Sequence, residues 1–380
     1  MKKETKFTHI GRPKPDYATP VNPPITRAST MLFKRAEDIY GSGETGYGRH
    51  GTNVHEQLKS AFIALEGGED CALLPSGHSA TTTAILACVK AGDHILLTDS
   101  AYGPTRGFCL DHLPKFGIST TVYDPHIGGD IADLIQDNTA VILLESPGSL
   151  TFEVQDIPAI AKAAKAAGVT TIIDNTWSGG LTLAPFSHGV DISVHAATKY
   201  FGGHSDIMYG AVISATKALG RKVDAHIKSI GFSVSPDDTY QILRGFRTVM
   251  HRFGHSEASA YKLAAWLEGR DEVASVLHPA LPSHPDHALW KRDFTGGACI
   301  FSVVLKPVSE AKVLAFVNAL KLFGIGYSYG GFESLCIHCD PQLRRDHADK
   351  LGGPLVRFAC GLEHADDLQA DIAQALAVLA

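Results

Sequence analysis

The sequence lacks an excess of basic residues and any long apolar run. Its 380 residues include 34 Lys and Arg against 40 Asp and Glu, which gives a net charge of −6. Binding to nucleic acid or to an anionic membrane surface by charge needs a basic field, so we expect neither partner. A membrane-spanning helix needs about 20 consecutive apolar residues, and no stretch approaches that length.

Cysteine is also scarce. An odd number of cysteines scattered along a long chain does not fit a disulfide framework and favours a reducing compartment. Two lysines near the start are not followed by an apolar stretch, so we expect no secretory signal. These observations predict a cytoplasmic protein. The seven cysteines are Cys71, Cys88, Cys109, Cys299, Cys336, Cys339 and Cys360.

What the sequence does contain is the pattern of an α/β protein. At roughly 150 residues per domain, its length predicts two or three units. Residues 1–50 are rich in Gly and Pro and show no sustained period, which favours an extended arm. From residue 51, short apolar runs alternate with helical stretches, as in a mainly parallel sheet. We predict an arm over 1–50, a large domain over 51–245 and a smaller α/β C-terminal domain over 246–380.

The periodicity also predicts individual elements. A helix opens at Asn53 with Glu56 three residues later, a capping-box spacing, and stops at Gly67. Long helices follow residue 215, and a helix over 366–379 closes the chain. Carboxyl ends of parallel strands share one edge, where ligands bind. Further helix candidates are 78–91, 104–115 and 156–168, and strand candidates are 71–74, 95–98, 141–144, 170–173, 191–195, 299–304 and 354–358.

The segment DISVHAATKYFGG, residues 191–203, ends an apolar strand and then presents Lys199 at this edge. A lysine in a partly desolvated pocket loses its proton more readily and can attack a carbonyl to form a Schiff base. The alternative is a surface lysine at the end of a strand. On this segment alone, the two interpretations stay open.

Two further segments reach the same edge. Asp174 closes the apolar run TTIIDNTW and can pair with a protonated ring nitrogen, although a lone Asp more often caps a helix or a turn. Gly77, in Pro75-Ser-Gly-His-Ser79, lies between a strand and a helix, where amide groups can bind a phosphate. Lysine, acid and phosphate cradle together meet the needs of pyridoxal phosphate.

The chain resembles the pyridoxal-phosphate enzymes of cysteine and methionine metabolism, and within that family most closely the bacterial cystathionine β-lyases. The resemblance runs nearly end to end and implies the fold-type I, aspartate aminotransferase-like architecture. The segments that carry it are GYGRHGT (46–52), LEGGEDCALLPSG (65–77), LLESPGSLTFEV (143–154), IIDNTWSGG (172–180), AATKYFGGHSD (196–206), WKRDFTGG (290–297), YSYGGFES (327–334) and VRFACGLE (356–363).

The resemblance implies roles for individual residues. Lys199 would bind the cofactor aldehyde and move protons, and Asp174 would pair with the pyridine nitrogen. Tyr102 would stack on the ring, and Arg357 would bind the substrate carboxylate with Ser328 alongside. The residues that match phosphate-contacting positions are Gly77, His78 and Thr198.

Tyr47 and Arg49 match a Tyr-x-Arg pair that members of this family lend across a dimer interface. The resemblance therefore implies a homo-oligomer with shared sites, a dimer at least and a tetramer overall. Without it, the pair would be interpreted as a solvated loop, and Arg357 as part of a surface salt bridge.

The chain departs from the family pattern at two positions. His78 stands where relatives carry a small or apolar residue, so its imidazole either contacts the phosphate or caps the helix. Tyr329 stands where the β-lyases carry Trp in a YSWGG segment, which suggests a different fit to the substrate. The pair Cys336 and Cys339 invites a metal interpretation, but a closed zinc site needs four ligands, and we expect no metal.

The implied activity is α,β-elimination of L-cystathionine to homocysteine, pyruvate and ammonia, in methionine biosynthesis. Cystine and other cysteine S-conjugates offer the same leaving group, so the sulfur amino acid used stays open. The alternatives are a cystathionine γ-synthase, a cystathionine γ-lyase or a methionine γ-lyase of the same family, and a regulatory protein that binds pyridoxal phosphate without turnover. Methionine γ-lyases carry Cys at the position of Pro104, which counts against the γ-lyase alternative.

Overall fold

The computed structural model describes residues 2–13, 18–41, 46–347 and 351–379. Parts of the proposed arm, residues 14–17 and 42–45, lie outside the described residues. The described residues form two sheets with helices around them. The helices are α1 (Lys3–His9), α2 (Asp38–Gly41), α3 (Asn53–Glu66), α4 (Gly77–Leu86), α5 (Gly103–Gly107), α6 (Ile157–Ala167), α7 (Lys217–Ile230), α8 (Pro236–Phe246), α9 (Val249–Leu267), α10 (His287–Asp293), α11 (Glu310–Ala319) and α12 (Ala365–Leu376).

The larger sheet has seven strands in the order β1-β7-β6-β5-β4-β2-β3. Strand β7 runs antiparallel to both of its neighbours, and the other pairs are parallel. The prediction of a mainly parallel sheet is thus confirmed. The strands are β1 (Asp70–Leu74), β2 (His94–Thr98), β3 (Ser119–Tyr123), β4 (Thr139–Glu145), β5 (Thr170–Asp174), β6 (Ile192–His195) and β7 (Gly210–Ser214).

The smaller sheet has five strands in the order β10-β11-β12-β9-β8. Helices α9, α11 and α12 contribute to the apolar core on one of its faces, which includes Leu263, Phe316 and Leu368. The predicted strands over 299–304 and 354–358 correspond to β9 and β12. The strands are β8 (Val273–Leu277), β9 (Ile300–Leu305), β10 (Gly324–Ile325), β11 (Leu335–His338) and β12 (Leu355–Ala359).

The local signals explain where helices begin and end. Asp156 caps α6 by accepting the Ala159 amide at 3.2 Å, Pro158 lies in its first turn, and Gly168 ends it with φ of 71°. Proline suits the first turn because N–H groups there have no acceptor within the helix, so proline loses no hydrogen bond. Glycine tolerates the left-handed conformation at a helix end.

Four expectations need correction. The capping box of α3 is formed by Thr52 and His55 and not by Asn53 and Glu56, and the Thr52 amide donates to His55 Nδ1 at 3.0 Å. The helix expected over 78–91 ends at Leu86. The helix expected over 104–115 divides into three pieces: α5, a π-helical turn (Phe108–His112) and a 3-10 turn (Leu113–Phe116) that contains Pro114. Pro114 cannot continue the α-helical hydrogen bonds because proline lacks an amide hydrogen.

The fourth correction concerns the arm. Its first residues form α1, whose Phe7 is buried and meets Phe246 of α8 edge to face, with ring centroids 5.5 Å apart. This part of the arm therefore packs on its own chain. Five strands were also missed. Strand β3 is an edge strand with a largely polar sequence, and β7 lies where the alternating pattern was expected to end. Strands β8, β10 and β11 lie in the C-terminal sheet, where only the strands over 299–304 and 354–358 were expected. The division at residue 245 stays a prediction, and it falls within the last turn of α8.

Candidate active site

The carboxyl edge of the larger sheet carries the predicted lysine and aspartate. Asp174 ends β5, and its Oδ1 accepts the Thr176 amide at 3.0 Å. Burial raises the pKa of Asp174, while Thr176, His195 and Lys199 favour its ionised form. The neighbouring strand β6 ends at His195, and the chain then turns through Thr198 and Lys199. The two chemical groups therefore come from adjacent strands.

Lys199 is enclosed and holds one specific hydrogen bond. Its Nζ donates to Ser328 Oγ at 2.8 Å and lies 5.0 Å from the centroid of the Tyr329 ring. Burial, and then the positive charge of Arg357, lower the pKa of Lys199 to about 8, and Asp174 opposes this shift. An amine with such a pKa is available as a nucleophile or base near neutral pH.

Ser328 connects this lysine to Arg357. The Arg357 Nη2 donates to the Ser328 carbonyl oxygen at 3.3 Å. Ser328 has φ of 107°, an uncommon value for a residue with a side chain, so the surrounding structure holds its backbone in place. The smaller sheet thus brings Ser328, Tyr329 and, from β12, Arg357 to the edge of the larger one. Tyr329 also packs against Tyr200, with ring centroids 5.7 Å apart.

Gly77 and His78 begin α4, and Thr198 lies in the turn that follows β6. Gly77 lies so close to β6 that a Cβ atom there would be 2.4 Å from the Ala196 Cβ. Amides in the first turn of a helix have no acceptor within it, so this turn can bind an anion. The Thr198 hydroxyl contacts the Tyr209 backbone, and the exposed His78 ring lies edge-on to Phe108. Partial desolvation of this ring at the protein surface lowers the pKa of His78, and the charge of Asp174 opposes the shift.

Tyr102 follows β2 and precedes α5, with 48% of its surface exposed. Its amide donates to Glu145 Oε2 at 2.6 Å. Burial raises the pKa of its phenol. Sequence reasoning missed Glu145, although its signal was the same as that of Asp174: a carboxylate that ends an apolar strand.

Tyr47 and Arg49 contact each other, and Arg49 also contacts the last turn of α7. The Arg49 guanidinium lies 5.8 Å from the centroid of the Tyr47 ring, and its Nη1 donates to the Lys228 carbonyl at 3.4 Å. Among the described residues, no hydrogen bond or ion pair joins either side chain to Lys199, Asp174 or Arg357. Their predicted place in the site of a neighbouring subunit stays a prediction.

The region of Cys336 and Cys339 is apolar and closed. Both thiols are buried, the first in β11 and the second directly after it. Within the described ranges, no cluster of three His, Cys, Asp or Glu side chains has a geometry that could hold a metal ion. All seven cysteines are free thiols. Throughout the residues that the structure describes, no helix is long and apolar enough to cross a membrane.

The site residues fit a phosphorylated pyridine aldehyde. Lys199 supplies an amine with a lowered pKa, Asp174 an enclosed acid, and the start of α4 an anion site, all at one edge of the sheet. This combination on a mainly parallel seven-stranded sheet defines the class of fold-type I enzymes that depend on pyridoxal phosphate.

Comparison with known proteins identifies the family. The model of the Cys/Met metabolism PLP-dependent enzymes matches residues 4–377. A cystathionine β-lyase from Salmonella typhimurium is 42% identical, with 98% of this chain and 98% of that protein covered. An L-alanine/L-glutamate racemase from Wolbachia pipientis is 38% identical, with 100% of this chain and 98% of that protein covered. The chain belongs to the family of Cys/Met metabolism PLP-dependent enzymes.

A solved structure extends the likeness to three dimensions. The cystathionine γ-lyase from Lactobacillus plantarum, in complex with L-serine, superposes with a TM-score of 0.92 at 30% sequence identity. The match covers 100% of this chain and 99% of that one. The fold is therefore shared between relatives with β-lyase and γ-lyase names, and it does not by itself separate the two reactions.

Proposed function

We propose that this protein is a carbon–sulfur lyase that converts L-cystathionine and water into homocysteine, pyruvate and ammonia. The observation that carries the proposal is the link from the Lys199 amine through Ser328 to Arg357, which pairs a base with a carboxylate-binding group. The full-length identity to a cystathionine β-lyase supports this choice of substrate.

The residues that would hold pyridoxal phosphate follow from the site. Lys199 would bind the aldehyde, Asp174 would pair with the ring nitrogen, and Tyr102 would pack against the ring. When bound, pyridoxal phosphate supplies an electron-withdrawing ring that takes up the charge left by removal of the Cα proton. The first turn of α4 and the turn after β6 would hold the phosphate, at Gly77, His78 and Thr198.

Arg357 and Lys199 divide the work on the substrate. The Arg357 guanidinium binds the carboxylate in a two-point contact, which fixes the direction of the Cα–H bond. The Lys199 amine removes that proton, and its pKa of about 8 makes it a base near neutral pH. The Cβ–S bond breaks, the sulfur takes a proton and leaves as homocysteine, and the released aminoacrylate reacts with water to give pyruvate and ammonia.

Two residues of the arm complete the site from a second copy of the chain. Tyr47 is 46% exposed, and Arg49 reaches neither Lys199 nor Arg357 of its own chain among the described residues. Both are therefore available to a neighbouring subunit. The assembly proposed is a dimer with shared sites that forms a tetramer in the cytoplasm.

A side-by-side assay of cystathionine, cystine and methionine tests the function. We expect pyruvate from cystathionine, whereas 2-oxobutyrate would instead mean elimination at the γ-carbon and would contradict the proposal. Lys199→Ala removes both the cofactor link and the base, so its turnover should vanish. Lys217→Ala, at an exposed lysine of α7, is the matched control and should retain full activity.

A second candidate is amino-acid racemisation, which the full-length relative from Wolbachia pipientis favours. Racemisation needs a base on one face of Cα and a proton donor on the other. Lys199 offers the base, and Tyr102, whose pKa burial raises, offers a protonated phenol at the same edge. Formation of D-alanine from L-alanine would support this candidate. If no D-alanine forms during the incubation, the candidate is excluded.

A further inference from the structure

Glu145 is a carboxyl-bearing residue at the active-site edge to which the proposed reaction assigns no role. It ends β4 and is paired in register with Asp174 at the end of β5. Since the two strands are parallel and adjacent, their last side chains lie at the same level of the sheet. Two carboxyl groups thus stand side by side where the cofactor ring is expected.

The contact made by Glu145 is short and directed. Its Oε2 accepts the backbone N–H of Tyr102 at 2.6 Å, and the Tyr102 carbonyl accepts the Arg106 amide at 3.0 Å. The backbone of Tyr102 is therefore held on both sides, and the Glu145 contact comes from a different strand. With 48% of Tyr102 exposed, its orientation depends on this backbone anchor.

The surroundings decide which of the two carboxyl groups carries the charge. Asp174 accepts the Thr176 amide; burial raises the pKa of Asp174, and its contacts with Thr176 and the nearby Lys199 oppose that shift and favour the ionised form. Two neighbouring carboxylates in an enclosed site do not both ionise readily. The negative charge of the pair therefore belongs on Asp174.

The groups around Glu145 disfavour its ionised form. Burial first, and then the negative charge of Asp174, raise the pKa of Glu145 well above its usual value; Glu153 adds to this, and Arg345 and the Tyr102 amide oppose it. A protonated carboxyl group still accepts an N–H through its carbonyl oxygen. The contact with Tyr102 therefore does not need a charged Glu145.

We propose that Glu145 is a positioning residue that, as a neutral carboxylic acid, anchors Tyr102 at the cofactor site and leaves the negative charge of this edge on Asp174. The inference rests on the cofactor contacts proposed above for Tyr102 and Asp174. It does not depend on which amino acid is the substrate.

Hydrogen exchange in the cofactor-free protein tests the anchor directly. In Glu145→Ala the Tyr102 amide loses its acceptor, and we expect its exchange to be about tenfold faster or more, read from overlapping peptides that differ at Tyr102. Glu145→Gln keeps an acceptor of the same shape, so its exchange should stay within about twofold of the unchanged protein. An unaltered rate in Glu145→Ala would overturn the anchor.

Cofactor binding tests the role and the charge state. Spectral titration with pyridoxal phosphate should show about tenfold weaker binding in Glu145→Ala and near-normal binding in Glu145→Gln. Glu153→Gln changes another enclosed carboxylate of the same segment, bonded to Thr151 and not to Tyr102, and should bind normally. Equal losses in Glu145→Ala and Glu145→Gln would mean that an anion is required and would overturn the neutral acid.

The two measurements separate this inference from the proposed function. Faster exchange in Glu145→Ala together with unchanged cofactor affinity would overturn the role toward the cofactor. If both measurements agree with the inference but cystathionine yields no pyruvate, then the substrate assignment fails and the inference on Glu145 stands. Thermal unfolding of each variant identifies any loss that comes from misfolding.

Discussion

Lys199 shows how neighbours turn an ordinary side chain into a reactive one. The sequence placed it at the end of a strand, where a surface lysine was equally plausible. The structure adds enclosure, the Ser328 hydroxyl and the nearby charge of Arg357, which together bring its pKa to about 8. Arg357 thus has two effects: it can bind a carboxylate, and its charge helps to lower the pKa of the Lys199 amine.

The pH dependence of cofactor uptake follows from this pKa. Below about 8 most Lys199 amines are protonated, so we expect the rate at which the cofactor-free protein takes up pyridoxal phosphate to rise with pH. Above about 8 the amine is neutral and the rate should level off. The measurement is stopped-flow absorbance from pH 6 to 9. At the acid end, the rate of uptake should change on the order of tenfold per pH unit.

Arg357→Met removes the nearby positive charge and should shift the rise of that rate to higher pH, since like charge disfavours the protonated amine. A rate that is independent of pH in the unchanged protein would contradict the lowered pKa.

At the scale of elements, the site depends on how closely α4 approaches β6. Several elements were predictable because each depends on local signals: apolar β5 and β6, and α6 with its proline and terminal glycine. The contact between Gly77 and Ala196 was not predictable, because it joins residues far apart in sequence. It depends on the packing of a helix start against the end of a strand.

Gly77→Ala should weaken cofactor binding. The added Cβ atom would meet the Ala196 Cβ at 2.4 Å, so the first turn of α4 must shift away from β6, and its amides then no longer converge on a phosphate. We expect about a tenfold or greater loss in affinity, equivalent to ~1.4 kcal/mol or more, measured by titration.

The matched control is Gly254→Ala, within α9, where an added Cβ atom meets nothing within 4 Å. There alanine should leave affinity unchanged and should stabilise the helix slightly. Normal binding by Gly77→Ala would mean that α4 does not form the phosphate site.

At the scale of the whole molecule, residues of both sheets meet at one edge. Besides Ser328 and Arg357, the C-terminal part contributes Asp346, whose amide donates to the buried Asp99 at 2.9 Å. Asp99 also pairs with Arg106 Nη1 at 2.9 Å, in the segment that follows Tyr102. Arg106 Nη2 also pairs with the Asp346 carboxylate. Removing one member of this group would leave a buried charge unpaired, so the contacts of Asp346 with Asp99 and Arg106 hold the C-terminal part against the larger sheet.

Subunit complementation tests the shared site. If Arg49 serves the neighbouring chain, then Arg49→Ala and Lys199→Ala variants should each be nearly inactive, yet unfolding and refolding them together should restore activity. In a random mixture half of the dimers are mixed and each has one intact site, so roughly a quarter of the sites should work.

Mixing Lys199→Ala with Asp174→Ala offers the comparison, because both residues belong to the same chain's site and no intact site can form. Recovery in that second mixture, or none in the first, would contradict a dimer that shares sites through Arg49.

The sequence by itself determined the α/β class, the mainly parallel sheet and the positions of Lys199 and Asp174, because strands, helix ends and strand-terminal residues depend on neighbours along the chain. The tertiary structure decided that Lys199 lies against Ser328, that Arg357 joins them, and that Glu145 binds the amide of Tyr102. These contacts join residues many positions apart, so they depend on how the two sheets pack and on strand register, which local periodicity does not specify.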